Sequence, residues 1–366
     1  MKRLLAMILA VLMVVALAAC NGSGGGGGNP ATPEGGGETT AHSGDGETTA
    51  SDPQLTLNYS THVANVGSTG EILGAWLKQV EDESGGSINI EEYWSASLVP
   101  PTSAYAETSQ GVCDINTQAS GMEGDHFVIG SALSYFYYGE GTEEQRMQAV
   151  HEVYATVPGA LDEYSDVEIL GYGNAGAEFC IYSTKPIRTI DDLKGLNIRI
   201  MEDWVFDVFV ELGAAPVKMP LGQMYESIEK GAIDAILLGC SNYVSENLAD
   251  YVQYMTYIGV GSSPNVWTYV NNISWDKMSD HQKEIMKTTA EQCEKNLIEN
   301  VWSIDDGPVA EANGVELIHF SEEDTAKIIE VAKQKAQDQI DKLNAAGLDG
   351  QAIFDAARAA IEKYIH

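Results

Sequence analysis

The chain has 366 residues, and its 54 acidic and 20 basic side chains give a formal net charge of −34 at pH 7. So strong a negative charge makes nucleic acid and anionic lipid surfaces poor partners, and we expect no nucleic-acid function. Residues 54–366 are enough for two domains of ordinary size.

Residues 1–19 have the pattern of a secretory signal peptide. Lys2 and Arg3 form a short basic start, and the apolar run that follows is too short to span a membrane. The run leads into LAAC at residues 17–20, which matches the lipobox of bacterial lipoproteins, in which the cysteine carries the lipid. We therefore expect an extracytoplasmic protein that is lipid-anchored to the cell membrane through Cys20. The alternative is an ordinary secretory signal beside an incidental cysteine.

Residues 20–53 predict a disordered tether. The segment consists mainly of Gly, Ser, Thr, Glu, Asp and Pro, with almost no large apolar residue. Such a composition cannot bury a core. A flexible segment of this length reaches on the order of 30 Å. The tether would therefore hold the folded part of the chain clear of the lipid headgroups.

The first folded segment predicts a parallel sheet. Strand patterns alternate with helical periods in the order β-α-β-α-β, and this order favours parallel strands joined by helices. The strands are expected at residues 55–59, 87–94 and 112–118, and the helices at residues 71–83 and 100–111. Ligands of such sheets lie outside the carboxyl ends of the strands.

The order repeats after a helix at residues 143–164 that breaks near Pro158. Further strands are expected at residues 167–172, 177–183, 196–201, 216–219, 233–238, 251–258 and 265–271, and helices at residues 204–212, 222–230, 322–345 and 351–365, with a long helix starting at Ser279. Two α/β lobes with a cleft between them follow from this pattern. We assign residues 54–175 and about 264–303 to lobe I, and residues 176–263 and about 304–366 to lobe II.

Motifs for catalysis or metal binding are absent from the sequence. It contains no nucleotide-binding, metalloprotease or serine-hydrolase motif, and its histidines lie in no recognisable catalytic context. Apart from Cys20, the cysteines are Cys113, Cys180, Cys240 and Cys293. Their wide spacing suits four free thiols, or one disulfide in an exported protein. We therefore expect a protein that is not an enzyme and that uses no metal and no cofactor.

Arg199 is a charged residue in a strand that should be largely buried. An isolated buried guanidinium costs several kcal/mol unless it is paired. In one interpretation it pairs with Glu202 or Asp203 and is structural. In the other it faces the cleft and binds a ligand carboxylate, to which its planar fork is suited. Glu202 and Asp203 could also receive a ligand hydroxyl or amine, although a solvated or helix-capping role explains them more simply.

Three segments around Arg199 have a characteristic order and spacing. They read RTIDDLKGLNIRI at residues 188–200, LGAAPV at residues 212–217 and MYESIEKGAIDA at residues 224–235. Together they resemble the solute-binding proteins of TRAP transporters, the DctP-type family. A weaker similarity runs from residue 55 to about residue 300, so the resemblance covers most of the mature chain.

The resemblance implies a two-lobed fold like that of periplasmic binding proteins, which closes on an organic anion. It implies that the anion is then delivered to the subunits of a TRAP-type membrane permease driven by an ion gradient. In this family the arginine of the K-G-L-x-I-R segment, here Arg199, grips the ligand carboxylate. The long helix from Ser279 would run along both lobes and couple their closure. We expect the protein to be a monomer.

Two departures from better-known members concern the ligand. Where relatives that bind sialic acid carry a second arginine, the alignment places Phe179, and the polar residues that end the later strand are displaced to Ser241 and Asn242. The site is therefore less polar and has fewer groups that can grip a carboxylate. This favours a monocarboxylate with an apolar or aromatic body over sialic acid or a strongly hydrated dicarboxylate.

Other candidate contacts lie around the same cleft. Trp204 begins a helix shortly after Arg199 and suits the pocket as well as the core, whereas Trp94 and Trp267 suit the core better. The predicted ligand-binding set is Arg199, Trp204, Phe179, Asn242 and Asn174.

Two other functions fit parts of the sequence. A binding lipoprotein of an ATP-driven importer would have similar lobes but would leave the block at residues 188–235 unexplained. A sensory ectodomain that binds a ligand and docks on a receptor is compatible with the sequence as well.

Overall fold

The computed structural model describes residues 51–119, 123, 126–174, 178–219, 221–262 and 264–366. The predicted signal peptide, Cys20 and nearly all of the tether lie outside the described residues. The described strands are β1 (Leu55–Thr61), β2 (Ile88–Tyr93), β3 (Ile115–Ala119), β4 (Val167–Asn174), β5 (Phe179–Ser183), β6 (Asn197–Arg199), β7 (Ala215–Val217), β8 (Ala235–Gly239), β9 (Tyr254–Tyr257), β10 (Pro264–Asn271) and β11 (Glu316–His319).

Helices connect and cover these strands. They are α1 (Gly67–Glu83), α2 (Ala104–Ser109), α3 (Val128–Ser134), α4 (Glu143–Thr156), α5 (Asp203–Glu211), α6 (Leu221–Glu229), α7 (Asn242–Ser245), α8 (Asn272–Trp275), α9 (Asp280–Leu297), α10 (Gly307–Ala312), α11 (Glu322–Ala345) and α12 (Gly350–Ile361). In the part of the chain that the structure describes, no helix is both long enough and apolar enough to cross a membrane.

The first sheet has the strand order β2-β1-β3-β10-β4. β1 runs parallel to β2 and β3, as the β-α-β-α-β pattern predicts, and Tyr59 of β1 is in register with Ile115 of β3. β10 is antiparallel to both β3 and β4. The sheet therefore combines the early part of the chain with a strand from much later in the sequence.

The second sheet has the strand order β11-β9-β5-β8-β6-β7. β6 is parallel to β7 and β8, and β5 is antiparallel to β8, with Phe179 opposite Gly239. The carboxyl ends of β6, β7 and β8 and the start of β5 therefore meet at one edge. The mixed α/β fold with two sheets confirms the predicted fold class. The lobe boundaries near residues 175, 264 and 304 remain a prediction.

Capping residues explain where two long helices begin. Thr142 accepts a hydrogen bond from the Gln145 N–H, and the Gln145 side chain accepts one from the Thr142 N–H, so α4 starts at the next residue. Ser279 and Gln282 form the same reciprocal pair before α9. The predicted start of the long helix at Ser279 therefore has a physical cause.

α9 lies against the first sheet and ends where the chain crosses to the second. The Glu294 carboxylate accepts a hydrogen bond from the Tyr172 N–H of β4 at 3.0 Å. A π-helical turn, Ile298–Trp302, continues α9, and the Asp306 N–H then donates to the Cys240 carbonyl at 3.0 Å. α9, this turn and the short segment that follows therefore lead from the first sheet to the second. That α9 runs along two lobes and couples their closure stays a prediction.

One large core contains side chains that belong to both sheets. Trp267 of β10 and Phe179 of β5 are both part of it, as are Ile328 of α11 and Ala357 of α12. α12 packs against α4, and α11 packs against α5. The C-terminal helices therefore contribute to a core that the two sheets share. Cys113, Cys180, Cys240 and Cys293 are buried free thiols.

Candidate functional site

Arg199 ends β6, at the edge where three parallel strands of the second sheet finish. The residue is only 6% exposed, because β7 and β8 flank β6 on either side. Its Nε donates a hydrogen bond to the Met219 carbonyl, just beyond β7, at 3.1 Å. Within the described part of the chain, Nη1 and Nη2 of Arg199 have no hydrogen-bond acceptor. The side chain is thus held at one nitrogen and leaves its two terminal nitrogens for another group.

Two carboxylates lie near enough to this guanidinium to act on it through their charges, but they do not pair with it. Burial lowers the pKa of Arg199, and the nearby charges of Glu202 and Glu246 raise it. Among the residues that the structure describes, no carboxylate oxygen lies within 4.0 Å of the Arg199 nitrogens. Asp203 forms its ion pair with Lys218 instead. The alternative in which Glu202 or Asp203 pairs with Arg199 is therefore not what the structure shows.

Glu202 carries a buried oxygen that lacks a partner. The residue lies between β6 and α5 and is half-buried as a whole, but its Oε2 is fully enclosed and has no hydrogen-bond partner in the described residues. Burial raises the pKa of Glu202, whereas nearby backbone N–H groups and the charge of Arg199 lower it. The Glu202 side chain does not cap α5, so the capping role considered in the sequence does not account for it.

Asn242 and Glu246 belong to the short segment after β8. Asn242 is the first residue of α7 and is half-buried, and its Nδ2 donates to Ser245 Oγ at 3.4 Å. Glu246 follows the same helix. The Tyr225 hydroxyl donates to the Glu246 carbonyl at 2.9 Å and lies 3.4 Å from its Oε2. Burial raises the pKa of Glu246, and Tyr225 and Arg199 lower it. Asn242 therefore lies at the same edge as Arg199.

Phe179 and Trp204 lie in the core beside this edge. They are 0% and 1% exposed, and their ring centroids are 6.4 Å apart. Both side chains belong to the large shared core. Their position is close to the end of β6 and the start of β5, but their direct contact with a ligand stays a prediction.

The remaining candidates belong to the first sheet. Asn174 is the last residue of β4 and is in register with Pro264 of β10. Trp267 is 2% exposed and packs among the rings of Tyr154, Tyr164 and Tyr172. Trp94 is half-buried beside Tyr59. The structure therefore brings Arg199, Asn242, Phe179 and Trp204 to one edge and places the others on the first sheet.

The sequence did not point to Glu246 or to the Met219 carbonyl. Glu246 follows β8 by several residues in a polar stretch, where carboxylates are ordinary. Only the parallel pairing of β6 and β8 brings it near Arg199. Among the described residues, no group of three or more His, Cys, Asp or Glu side chains could hold a metal ion.

Comparison with known proteins identifies the family. The family model for bacterial extracellular solute-binding proteins, family 7, also called DctP, matches residues 60–343. A solute-binding protein of Chromohalobacter salexigens is 23% identical over 227 residues, which cover 62% of this chain and 67% of the relative.

Solved structures of TRAP solute-binding proteins share the fold. One, from an unidentified marine microbe, is specific for aromatic acid ligands and holds metahydroxyphenylacetate; it is 22% identical, has a TM-score of 0.73, and is matched over 99% of its chain and 85% of ours. Another, from Rhodoferax ferrireducens, holds copurified benzoate; it is 23% identical, has a TM-score of 0.74, and is matched over 98% of its chain and 85% of ours.

These matches confirm the resemblance in the sequence. The family match includes all three segments around Arg199 and most of both sheets. This protein belongs to the DctP family of bacterial extracellular solute-binding proteins.

Proposed function

We propose that this solute-binding protein captures an organic acid at Arg199 by closure of its cleft and delivers the acid to a TRAP-type membrane permease. The observation that carries the proposal is the buried guanidinium of Arg199, which is held by one carbonyl and forms no ion pair with a described carboxylate. Membership of the family supports the role as an extracytoplasmic receptor.

The geometry favours a carboxylate as the group that binds Arg199. A buried guanidinium is expensive unless charged or polar partners satisfy it. Since Nε is occupied by the Met219 carbonyl, the two terminal nitrogens remain, and these present parallel N–H donors. A carboxylate accepts such a pair through its two oxygens, which gives a strong and directional contact.

An apolar or aromatic monocarboxylate suits this site best. Phe179 stands where some relatives carry a second arginine, so the chain has fewer cationic groups at this edge. Phe179 and Trp204 belong to the apolar core beside this edge. The two solved relatives named above hold aromatic acids, which supports the same class here.

Substitution of Arg199 tests the proposal. We expect Arg199→Ala to weaken binding of the first acid identified in a thermal-shift screen by about 30-fold to several thousand-fold, because loss of a desolvated charge pair costs roughly 2–5 kcal/mol. Arg199→Lys keeps the charge but loses the planar fork, so it should also bind the acid poorly. Isothermal titration calorimetry measures the affinity. In small-angle scattering, the unsubstituted protein should have a smaller radius of gyration with saturating ligand than without ligand.

Arg188→Lys is the matched control. Arg188 lies on the surface, where its Nη1 is 2.6 Å from Glu316 Oε1 and its side chain is 53% exposed. This substitution should leave the affinity unchanged. If Arg199→Lys instead lowers the melting temperature of the ligand-free protein and leaves the affinity intact, Arg199 is structural and the proposal fails.

We further propose that Cys20 carries the lipid that anchors the protein. Small residues precede it, and a polar, glycine-rich segment follows. Cys20→Ala should therefore move the protein from the membrane fraction to the soluble fraction, or stop removal of the signal peptide. A variant that stays on the membrane with an unchanged mature mass contradicts the anchor.

A further inference from the structure

We propose that the bound acid carries a hydrogen-bond donor, a hydroxyl or an ammonium group, near its carboxylate, and that Glu202 accepts this donor. The inference rests on the proposed function, because it assumes that the carboxylate itself binds Arg199. It adds a specificity residue and narrows the ligand to hydroxy acids or amino acids.

The first observation is the unpartnered oxygen of Glu202. A buried polar atom without a hydrogen bond destabilises a protein, and more so when it is charged. Oε2 of Glu202 is fully enclosed and forms no hydrogen bond with a described residue, although the backbone N–H groups of Met201 and Glu202 lie near the carboxylate. Glu202 lies close enough for its charge to act on Arg199 but does not pair with it. A donor on a ligand held by Arg199 would satisfy this oxygen.

The second observation is the charge balance around Arg199. One guanidinium has two neighbouring carboxylates, those of Glu202 and Glu246, in a protein whose net charge is −34. A simple anion would bring a third negative charge to this place and would be repelled by the two that are present. A hydroxyl on the ligand would form a charge-assisted hydrogen bond with Glu202 in place of the repulsion. An ammonium group would do the same and would also cancel the negative charge of the ligand's own carboxylate.

Glu202 is a better acceptor than Glu246. The Tyr225 hydroxyl lies beside Glu246 Oε2, so that oxygen already has a donor nearby. Glu202 Oε2 forms no hydrogen bond in the described part of the protein. Glu202 is also only three residues from Arg199, just beyond the same strand. The donor on the ligand is therefore expected close to its carboxylate.

Matched acids test this inference. One series is phenylacetate, mandelate and phenylglycine, and the other is propanoate, lactate and alanine; within each, the second compound adds a hydroxyl and the third an ammonium group. Calorimetry on the full mature protein should show at least one donor-bearing acid binding about 10-fold or more tightly than its donor-free partner. This ratio corresponds to about 1.4 kcal/mol.

Variants of Glu202 show whether that residue causes the preference. Glu202→Gln removes the charge but keeps an acceptor, so the ratio should fall several-fold. Glu202→Leu removes the acceptor, so the ratio should approach one, while the donor-free acid binds at least as well as before. Asp203→Asn is the control, because it makes the same change of charge at the neighbouring residue, which pairs with Lys218. It should leave the ratio unchanged.

The outcomes separate this inference from the proposed function. If Arg199→Lys abolishes binding but no series shows a preference, the acid receptor stands and the role of Glu202 is wrong. The same holds if the preference survives in Glu202→Leu. If none of the six acids binds, the result counts against both, since Glu202 was inferred for an acid held by Arg199. A preference for the hydroxyl or for the ammonium compound identifies which donor the site accepts.

Discussion

At the scale of single residues, the contact between His151 and Glu294 joins α4 to α9. His151 Nε2 is 2.7 Å from Glu294 Oε1, and the other oxygen of Glu294 accepts a hydrogen bond from the Tyr172 N–H. The hydrogen bond to Glu294 raises the pKa of His151, and burial of the ring opposes this. A histidine with a raised pKa links stability to pH in a defined direction.

We expect this pair to stabilise the protein more at acidic than at alkaline pH. Because the folded-state pKa of His151 exceeds the unfolded value of about 6.5, the contribution is complete below that value. It is lost as the pH rises through the folded-state pKa. The side chain is 52% exposed, so solvent screening limits the contribution to less than about 1 kcal/mol.

Thermal melts of the unsubstituted protein and of His151→Asn measure the effect. The difference between their melting temperatures should be largest below about pH 6 and should shrink toward alkaline pH. Glu294→Gln should remove the same dependence, because it removes the partner. A difference that grows as the pH rises would contradict the direction derived above.

The sequence indicated Arg199 because a lone cation stood in an otherwise apolar strand within a recognisable segment. Its burial is confirmed by its exposure of 6%. Glu202 was considered as a partner of Arg199 and as an acceptor for a ligand hydroxyl or amine, although a solvated or helix-capping role was the simpler explanation. Its enclosed oxygen could not be predicted, because it depends on three-dimensional packing. Glu246 could not be predicted, because its approach to Arg199 depends on the pairing of β6 with β8.

At the scale of elements, Arg146 of α4 supports a segment that crosses between the two sheets. Its Nη1 donates to the carbonyls of Tyr137 and Ser262 at 3.1 Å, and its Nη2 donates to the Gly139 carbonyl at 2.5 Å. Burial lowers the pKa of Arg146 to about 10. Ser262 and Gly261 lie between β9 of the second sheet and β10 of the first. Arg146 therefore fixes the path of this crossing.

Gly261→Ala is expected to disturb the crossing. Gly261 has a φ of +73°, and an added Cβ would overlap the guanidinium of Arg146. The substitution combines a strained backbone with displacement of a buried, hydrogen-bonded cation, and should cost about 3 kcal/mol or more of stability. Thermal melting measures the loss.

Gly231→Ala is the control for the backbone alone. Gly231 has a φ of +67° and no neighbouring atom within 4 Å of an added Cβ. It should therefore cost only about 1 kcal/mol, the penalty of the left-handed conformation. Equal losses in the two variants would mean that contact with Arg146 contributes nothing.

The long, regular elements were predictable, and several short ones were not. The helical period and the capping residue Ser279 predicted α9, and apolar strand patterns predicted most strands of both sheets. α3, α10 and β11 were missed, because each is only four to seven residues long and depends on contacts with distant segments. The break that was predicted near Pro158 in the helix at residues 143–164 is confirmed: α4 ends at Thr156, and a 3-10 turn, Asp162–Tyr164, follows.

At the scale of the whole molecule, the alternation of strands and helices predicted two sheets but not which strand lies beside which. Antiparallel β10 lies between β3 and β4 in the first sheet, a placement that no local pattern encodes. The shared core of the two sheets likewise depends on α11 and α12, whose amphipathic patterns do not specify the surfaces they cover. Local periodicity therefore predicted the strands and helices themselves, whereas tertiary contacts determine which of them lie side by side.

The position of β10 also constrains the order in which the protein can fold. Among the described strands, β4 (Val167–Asn174) pairs only with β10 (Pro264–Asn271), which is synthesised much later. By then the strands from β5 to β9 have already been synthesised. Bringing such distant segments together costs chain entropy before the strands can form their hydrogen bonds and packing contacts, and this slows folding. A nascent chain therefore cannot complete the first sheet until β10 has been synthesised.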